Sequence, residues 1–147
     1  MTKLQAIRSF ITAVLNEPTV IAKDRFHNNN FAMDVGNNCP RIKLPVSLNM
    51  KPDKMDMDFR KDFIKRFPPA RGFSHITLSL LHECGHWATR SVTNIIIYDK
   101  MRDNAKTMEQ YMAIPYEHLA TDWAICWLCC PANRKIAKEF ERNYFGH

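Results

Sequence analysis

The sequence predicts an α+β domain, and three observations carry that prediction. Apolar residues recur at three- and four-residue steps over 2–16, 74–90 and 116–130, the period of a half-buried helix. Between the first two of these segments lie short apolar stretches broken by Asn and Gly, the pattern of a few short strands joined by turns. The chain has 147 residues, 46% of them hydrophobic and 24% charged, enough for one domain with its own core. A single domain over 1–147 is therefore expected. With only 4 Gly and 11% aromatic residues, collagen-like and disordered classes are excluded.

The elements follow in order. Leu4, Ile7, Ile11, Val14 and Leu15 give 2–16 its apolar stripe. Thr2 with Gln5 fits a capping box, and Pro18 closes the segment. In 19–50, Val20–Ile21, Phe31–Met33 and Ile42–Leu48 are the apolar stretches. Asn28-Asn29-Asn30 and Gly36-Asn37-Asn38 supply turn chemistry. Two to four short strands are expected, with Pro45 at an edge or a strand end. In 51–72, Phe59, Phe63, Ile64 and Phe67 share a helical face ended by Pro68-Pro69, and the alternating charges read as a solvated face.

Ser74 is placed to cap the helix over 74–90. The β-branched run in 91–100 fits a strand or a helix equally, and 104–113 fits a short helix. Pro115 precedes the helix over 116–130, with Leu119, Ala120, Trp123, Ala124 and Trp127 on one side. Pro131 opens a terminal helix carrying Ile136, Phe140 and Tyr144 four apart.

No uncharged apolar run approaches the roughly 18 residues of a membrane span, and Gln5, Arg8 and Ser9 interrupt any signal-peptide core. No membrane association and a cytoplasmic location are the expectations. Five cysteines, two of them adjacent (Cys129, Cys130), argue for reduced thiols rather than a disulfide framework. The thiols of Cys126, Cys129 and Cys130 lack a paired Cys/His knuckle and read as buried, and Trp87, Trp123 and Trp127 as core aromatics packing two helices together. The net charge of +6 is dispersed; it permits nucleic-acid contact through a basic surface without requiring it.

The chemistry concentrates in His82-Glu83-Cys84-Gly85-His86. On a helix, two histidines four apart lie on one face, one turn from each other, and can converge on one zinc ion. Glu83 is rotated by about 100° from His82 and can serve as general base without ligating, the metalloprotease arrangement of H-E-x-x-H. Gly85 in a helix interior costs about 1 kcal/mol, which implies close approach of a backbone or a metal. A third ligand is needed for a catalytic zinc. Glu109, Glu117, His118 and Asp122 are the downstream candidates. Glu117 is favoured because it opens a helix whose small residues Ala120 and Ala124 allow close packing; His118 is next. Asp122 is a candidate hydrogen-bond partner for a metal-bound histidine. Tyr111, Tyr116 and His118 are the options for stabilising a developing oxyanion. His27, His75 and His147 have no partner at ligand spacing.

These residues resemble a known family. LSLLHECGHW (78–87) is similar to the zinc-binding helix of zincin-like metallopeptidases. The likeness is to the metallopeptidase domain of ArdC-type antirestriction proteins, and more distantly to the ImmA/IrrE peptidases. YEHLATDWAICWLCCP (116–131) resembles the second motif, with Glu117, Ala120, Trp123 and Ala124 in its places. Ile42-Lys43-Leu44-Pro45 looks like the short strand before the motif helix. Thr121 departs from the acidic residue or Asn often found there, and an alternative register puts His118 at the ligand place. The resemblance implies a minimal zincin-like domain, a small sheet packed beside two motif helices, with Zn²⁺ on His82, His86 and Glu117 and Glu83 as base. It implies a zinc-dependent peptidase acting on a protein or peptide, encoded by a phage or other mobile element and working in the host cytoplasm. The rival expectation is a counter-defence protein that binds a host protein or DNA, with the zinc site structural or vestigial.

Overall fold

A computed structural model of the chain describes residues 1–22, 30–49, 51–92 and 95–146. These contain helices α1 (Lys3–Leu15), α2 (Lys54–Arg66), α3 (His75–Ala88), α4 (Ile95–Asn104), α5 (Met108–Met112), α6 (Pro115–Leu128) and α7 (Pro131–Phe145). Strands β1 (Val20–Ile21), β2 (Ala32–Asp34) and β3 (Arg41–Lys43) form one small sheet in the order β1-β3-β2. The fold is a small, mostly helical α+β arrangement. His27 and His147, and the turn expected at Asn28-Asn29, lie outside the described residues.

Local chemistry sets the helix ends. Thr2 and Gln5 cap α1 reciprocally, and Asn16 ends it at φ 55°, a left-handed conformation that Asn tolerates. Asp53 and Asp56 form the same capping box on α2. Phe67 and the prolines behind it end that helix. Ser74 caps α3 through the Thr77 amide. Proline stands in the first turn of α6 and α7, where its missing N–H costs nothing. The ambiguous run in 91–100 lies largely in α4.

The sheet is held by β3 in the middle. β1 runs parallel to it, pairing Ile21 with Ile42, and β2 antiparallel, pairing Met33 with Ile42. Ile42 is completely buried. Pro45 therefore marks a strand end, since β3 is the central strand. Asp34 ties the β2–β3 turn by accepting from the Gly36 amide and the Arg41 guanidinium.

The core joins α1 and α7 to the rest. Phe10 stacks on Phe140 at 4.5 Å and meets Trp127 edge-on at 6.1 Å. Full burial of such a ring contributes about 1.5–3 kcal/mol. The buried face of α1 is Ala6, Ile7, Phe10, Ile11 and Val14. Leu4, expected on that stripe, is exposed, because the stripe centres on Ile7 and Phe10 and leaves Leu4 on its flank. The charges of α2 are not all solvated as expected. Arg60 donates to the carbonyls of Phe73 and Arg71, and Arg66 pairs with Asp122, tying α2 to its neighbours. No helix among the described residues is long and apolar enough to cross a membrane.

Candidate metal centre

Two helices build the site. α3 carries His82 and His86 one turn apart, their rings 4.6 Å from centroid to centroid, and both side chains are buried. α6 carries Glu117 in its first turn, 1% exposed. The helices approach because Gly85 has no side chain. A Cβ there would lie 2.8 Å from the Cα and carbonyl carbon of Ala120 and closer still to its oxygen. Close approach of backbone is thus the reason for the glycine.

Ligand-capable atoms of His82, His86 and Glu117 all lie within 4.8 Å of one another, the one such group among the described residues. His86 Nε2 is 2.8 Å from Glu117 Oε1, and His82 Nε2 is 3.4 Å from Glu117 Oε2. Ligands on a tetrahedral ion with zinc-like bonds stand about 3.3 Å apart, so the separations suit such an ion. The donor set suits it too: two imidazoles and a carboxylate with no Lys or Arg ion pair among the described residues. Thr121, one turn after Glu117 and fully buried, sits 2.9 Å from His82 Nδ1. With Nδ1–H donating to that hydroxyl, Nε2 keeps its lone pair directed at the carboxylate. A proton or a cation must then lie between them. His86 Nδ1 is buried and has no hydrogen-bond partner among the described residues.

Electrostatics separates the two glutamates. Burial pushes Glu117 up, but the charges and hydrogen bonds of His82 and His86 outweigh it and hold the carboxyl well below the usual range. Glu83 is pushed up to about 7, first by desolvation, then by the charge of Glu117; His86 and the Met33 amide oppose this. Glu83 Oε2 accepts from the Met33 N–H at 3.3 Å, so it faces strand β2 and stands outside the ligand group. Burial pushes the Cys84 thiol far up and leaves it unreactive.

The other candidates fall elsewhere. His118 and Asp122 pair with each other at 3.1 Å on a half-exposed face, and Asp122 also pairs with Arg66. One residue of helical phase, about 100°, turns 118 and 122 away from the face that carries 117 and 121. His118 is therefore not the third member of the group, and Thr121 takes the place expected of Asp122 at the histidine. Glu109 is exposed. His75 sits at the start of α3, outside the group, where burial lowers its pKa.

Tyr111 donates to Glu117 Oε1 at 2.9 Å. Burial and the Glu117 charge push its phenol far above the usual range, so it stays a donor. The Tyr116 ring lies 4.2 Å from the His86 ring. Cys126, Cys129 and Cys130 are exposed rather than buried. α6 turns Ala120, Ala124 and Leu128 inward at four-residue steps, which puts Cys126 on the far side and leaves the other two beyond the helix end. Trp87 is buried, and Trp123 and Trp127 pack against the core as expected of core aromatics. Trp87 donates to Glu17 and carries Arg90 on its face, while Trp127 turns to Phe10.

Residues that the sequence reading passed over are Thr121 as a histidine partner and Met33 as the amide on Glu83. Thr121 had a signal, four residues after Glu117 on the same helical face; the Met33 contact spans 50 positions and had none. Compared with protein-family models, curated proteins and solved structures, the chain matches none.

Proposed function

We propose that the chain is a zinc-dependent metallopeptidase that hydrolyses a peptide bond in a protein target. The convergence of His82, His86 and Glu117 beside Glu83 carries this reading; the resemblance of 78–87 and 116–131 to the zincin-like motifs supports it, and with it an origin in a mobile element. His82, His86 and Glu117 would hold the ion, and zinc is the first choice for two imidazoles and a carboxylate. Bound there, zinc supplies Lewis acidity, polarising a carbonyl and acidifying water. Glu83 takes the proton of the attacking water on its carboxylate and delivers it to the leaving amine nitrogen. The Met33 N–H holds Glu83 Oε2 in place for that transfer. β2 lies at the sheet edge, and among the described residues pairs only with β3. An extended peptide can dock beside such a strand, which favours a peptide over a compact substrate.

The test is direct. The purified chain is loaded with zinc and incubated with a mixed peptide library, and new termini are read by mass spectrometry. One zinc per chain and chelator-sensitive cleavage are expected. A chain that retains no zinc after reconstitution removes the reading, and one that binds zinc but cuts neither library nor unfolded proteins moves the function to binding.

A further inference from the structure

Three of the chain's four tyrosines gather at this centre. Tyr98 stands edge-on to Tyr116 at 4.9 Å, Tyr116 lies against His86, and the Tyr98 hydroxyl is 3.4 Å from that of Tyr111. The Tyr111 hydroxyl donates a hydrogen bond to a carboxylate oxygen of Glu117. Its placement is built. α5 is capped by Thr107, and buried Met112 and Ile114 anchor the chain on either side of the bend into α6. The phenol so returns to a carboxylate six residues ahead of it.

The last torsion of a glutamate is broad and roughly two-fold, so burial alone does not fix which oxygen faces the histidines. Glu117 Oε1 is held from two sides, by His86 Nε2 and by the Tyr111 hydroxyl. These holds differ in kind. An imidazole that ligates a metal gives up the proton on the nitrogen it offers, whereas the phenol keeps its own. Building on the metal reading above, we propose that Tyr111 is the positioning residue of the centre: its hydroxyl fixes the rotation of Glu117 and thereby sets the affinity for the ion. This differs from the oxyanion-donor role open to Tyr111 on sequence grounds, which needs contact with substrate and none with Glu117.

The experiment is Tyr111→Phe, with Tyr144→Phe as the control. Tyr144 is a buried tyrosine on α7 whose hydroxyl reaches the Leu48 carbonyl, so its loss reports phenol removal away from the centre. Zinc dissociation constants are measured by competition with a chromophoric chelator, and visible spectra are recorded with one equivalent of Co²⁺. Tyr111→Phe is expected to weaken zinc binding by about 10–100-fold and to shift the Co²⁺ bands; Tyr144→Phe leaves both unchanged. Wild-type affinity and an unaltered Co²⁺ spectrum in Tyr111→Phe overturn the positioning role, whatever happens to turnover. Lowered turnover with both metal readouts intact assigns Tyr111 to the oxyanion instead. Failure of the wild type to bind metal at all is a different outcome and overturns the peptidase reading itself. Should Tyr111→Phe not fold, 3-fluorotyrosine at position 111 answers the same question: it keeps the ring and makes the hydroxyl a stronger donor, so zinc affinity departs from that of the wild type if the hydroxyl holds Glu117, and stays at the wild-type value if it does not.

Discussion

Glu83→Gln is expected to lower peptide hydrolysis by about 10²–10⁴-fold, the usual worth of a positioned general base, while one zinc per chain remains bound. The substitution is nearly isosteric. The amide oxygen can still accept from the Met33 N–H, so the hold of β2 on the side chain survives. Only the capacity to take and return a proton is lost. Zinc retention is expected because Glu83 lies outside the group formed by His82, His86 and Glu117. Hydrolysis rates and metal content measured on the same preparations decide the matter. Full activity in the variant would remove Glu83 from the mechanism, and loss of zinc would make it a ligand.

Gly85→Ala is expected to be among the most damaging single-methyl additions in the chain. Helix propensity alone predicts a gain of about 1 kcal/mol. The packing opposes it, because the new Cβ meets the backbone of Ala120 and not a side chain that can swing aside. α3 and α6 must then move apart. Overpacking usually costs about 1–3 kcal/mol, and a backbone obstacle belongs at the upper end. The net loss of about 2 kcal/mol lowers the thermal midpoint by roughly 4–8 °C in a domain of this size. Since both helices carry site residues, zinc affinity falls with it. Gly72→Ala is the matched control: its Cβ would meet only the Lys138 ammonium, at 3.6 Å, and little change is expected. A calorimetric scan of both variants suffices, and an unchanged midpoint in Gly85→Ala refutes the packing argument.

What was legible in the sequence was what is local. The histidine pair follows from spacing on one helix, and the helix from Ser74 and its apolar face. Glu117 was readable because Ala120 and Ala124 mark the inward side of α6, and the same phase argument, applied more strictly, excludes His118 and Asp122. Thr121 was passed over because a carboxylate is the more familiar partner for a metal-bound imidazole, although a hydroxyl on the inward face serves equally. The three cysteines were misjudged by residue type: their apolar character says little about which side of a helix they occupy. The contacts of Glu83 with Met33 and of Tyr111 with Glu117 depend on how strand β2 and the bend before α6 lie in space. No periodicity reports that.

The exposed thiols at the end of α6 give the molecule a built-in gauge of its own integrity. Cys126, Cys129 and Cys130 are open to reagents and Cys39 is half-buried, whereas Cys84 is sealed in the hydrophobic core. Titration with a disulfide chromophore should therefore consume the outer three quickly, Cys39 more slowly, and reach Cys84 only after denaturation. Cys126 follows Glu117 by nine positions, about 14 Å along the helix axis, so a dye attached there sits clear of the chemistry. Alkylating the outer thiols before counting bound ions also removes the sulfur donors that would otherwise inflate the tally.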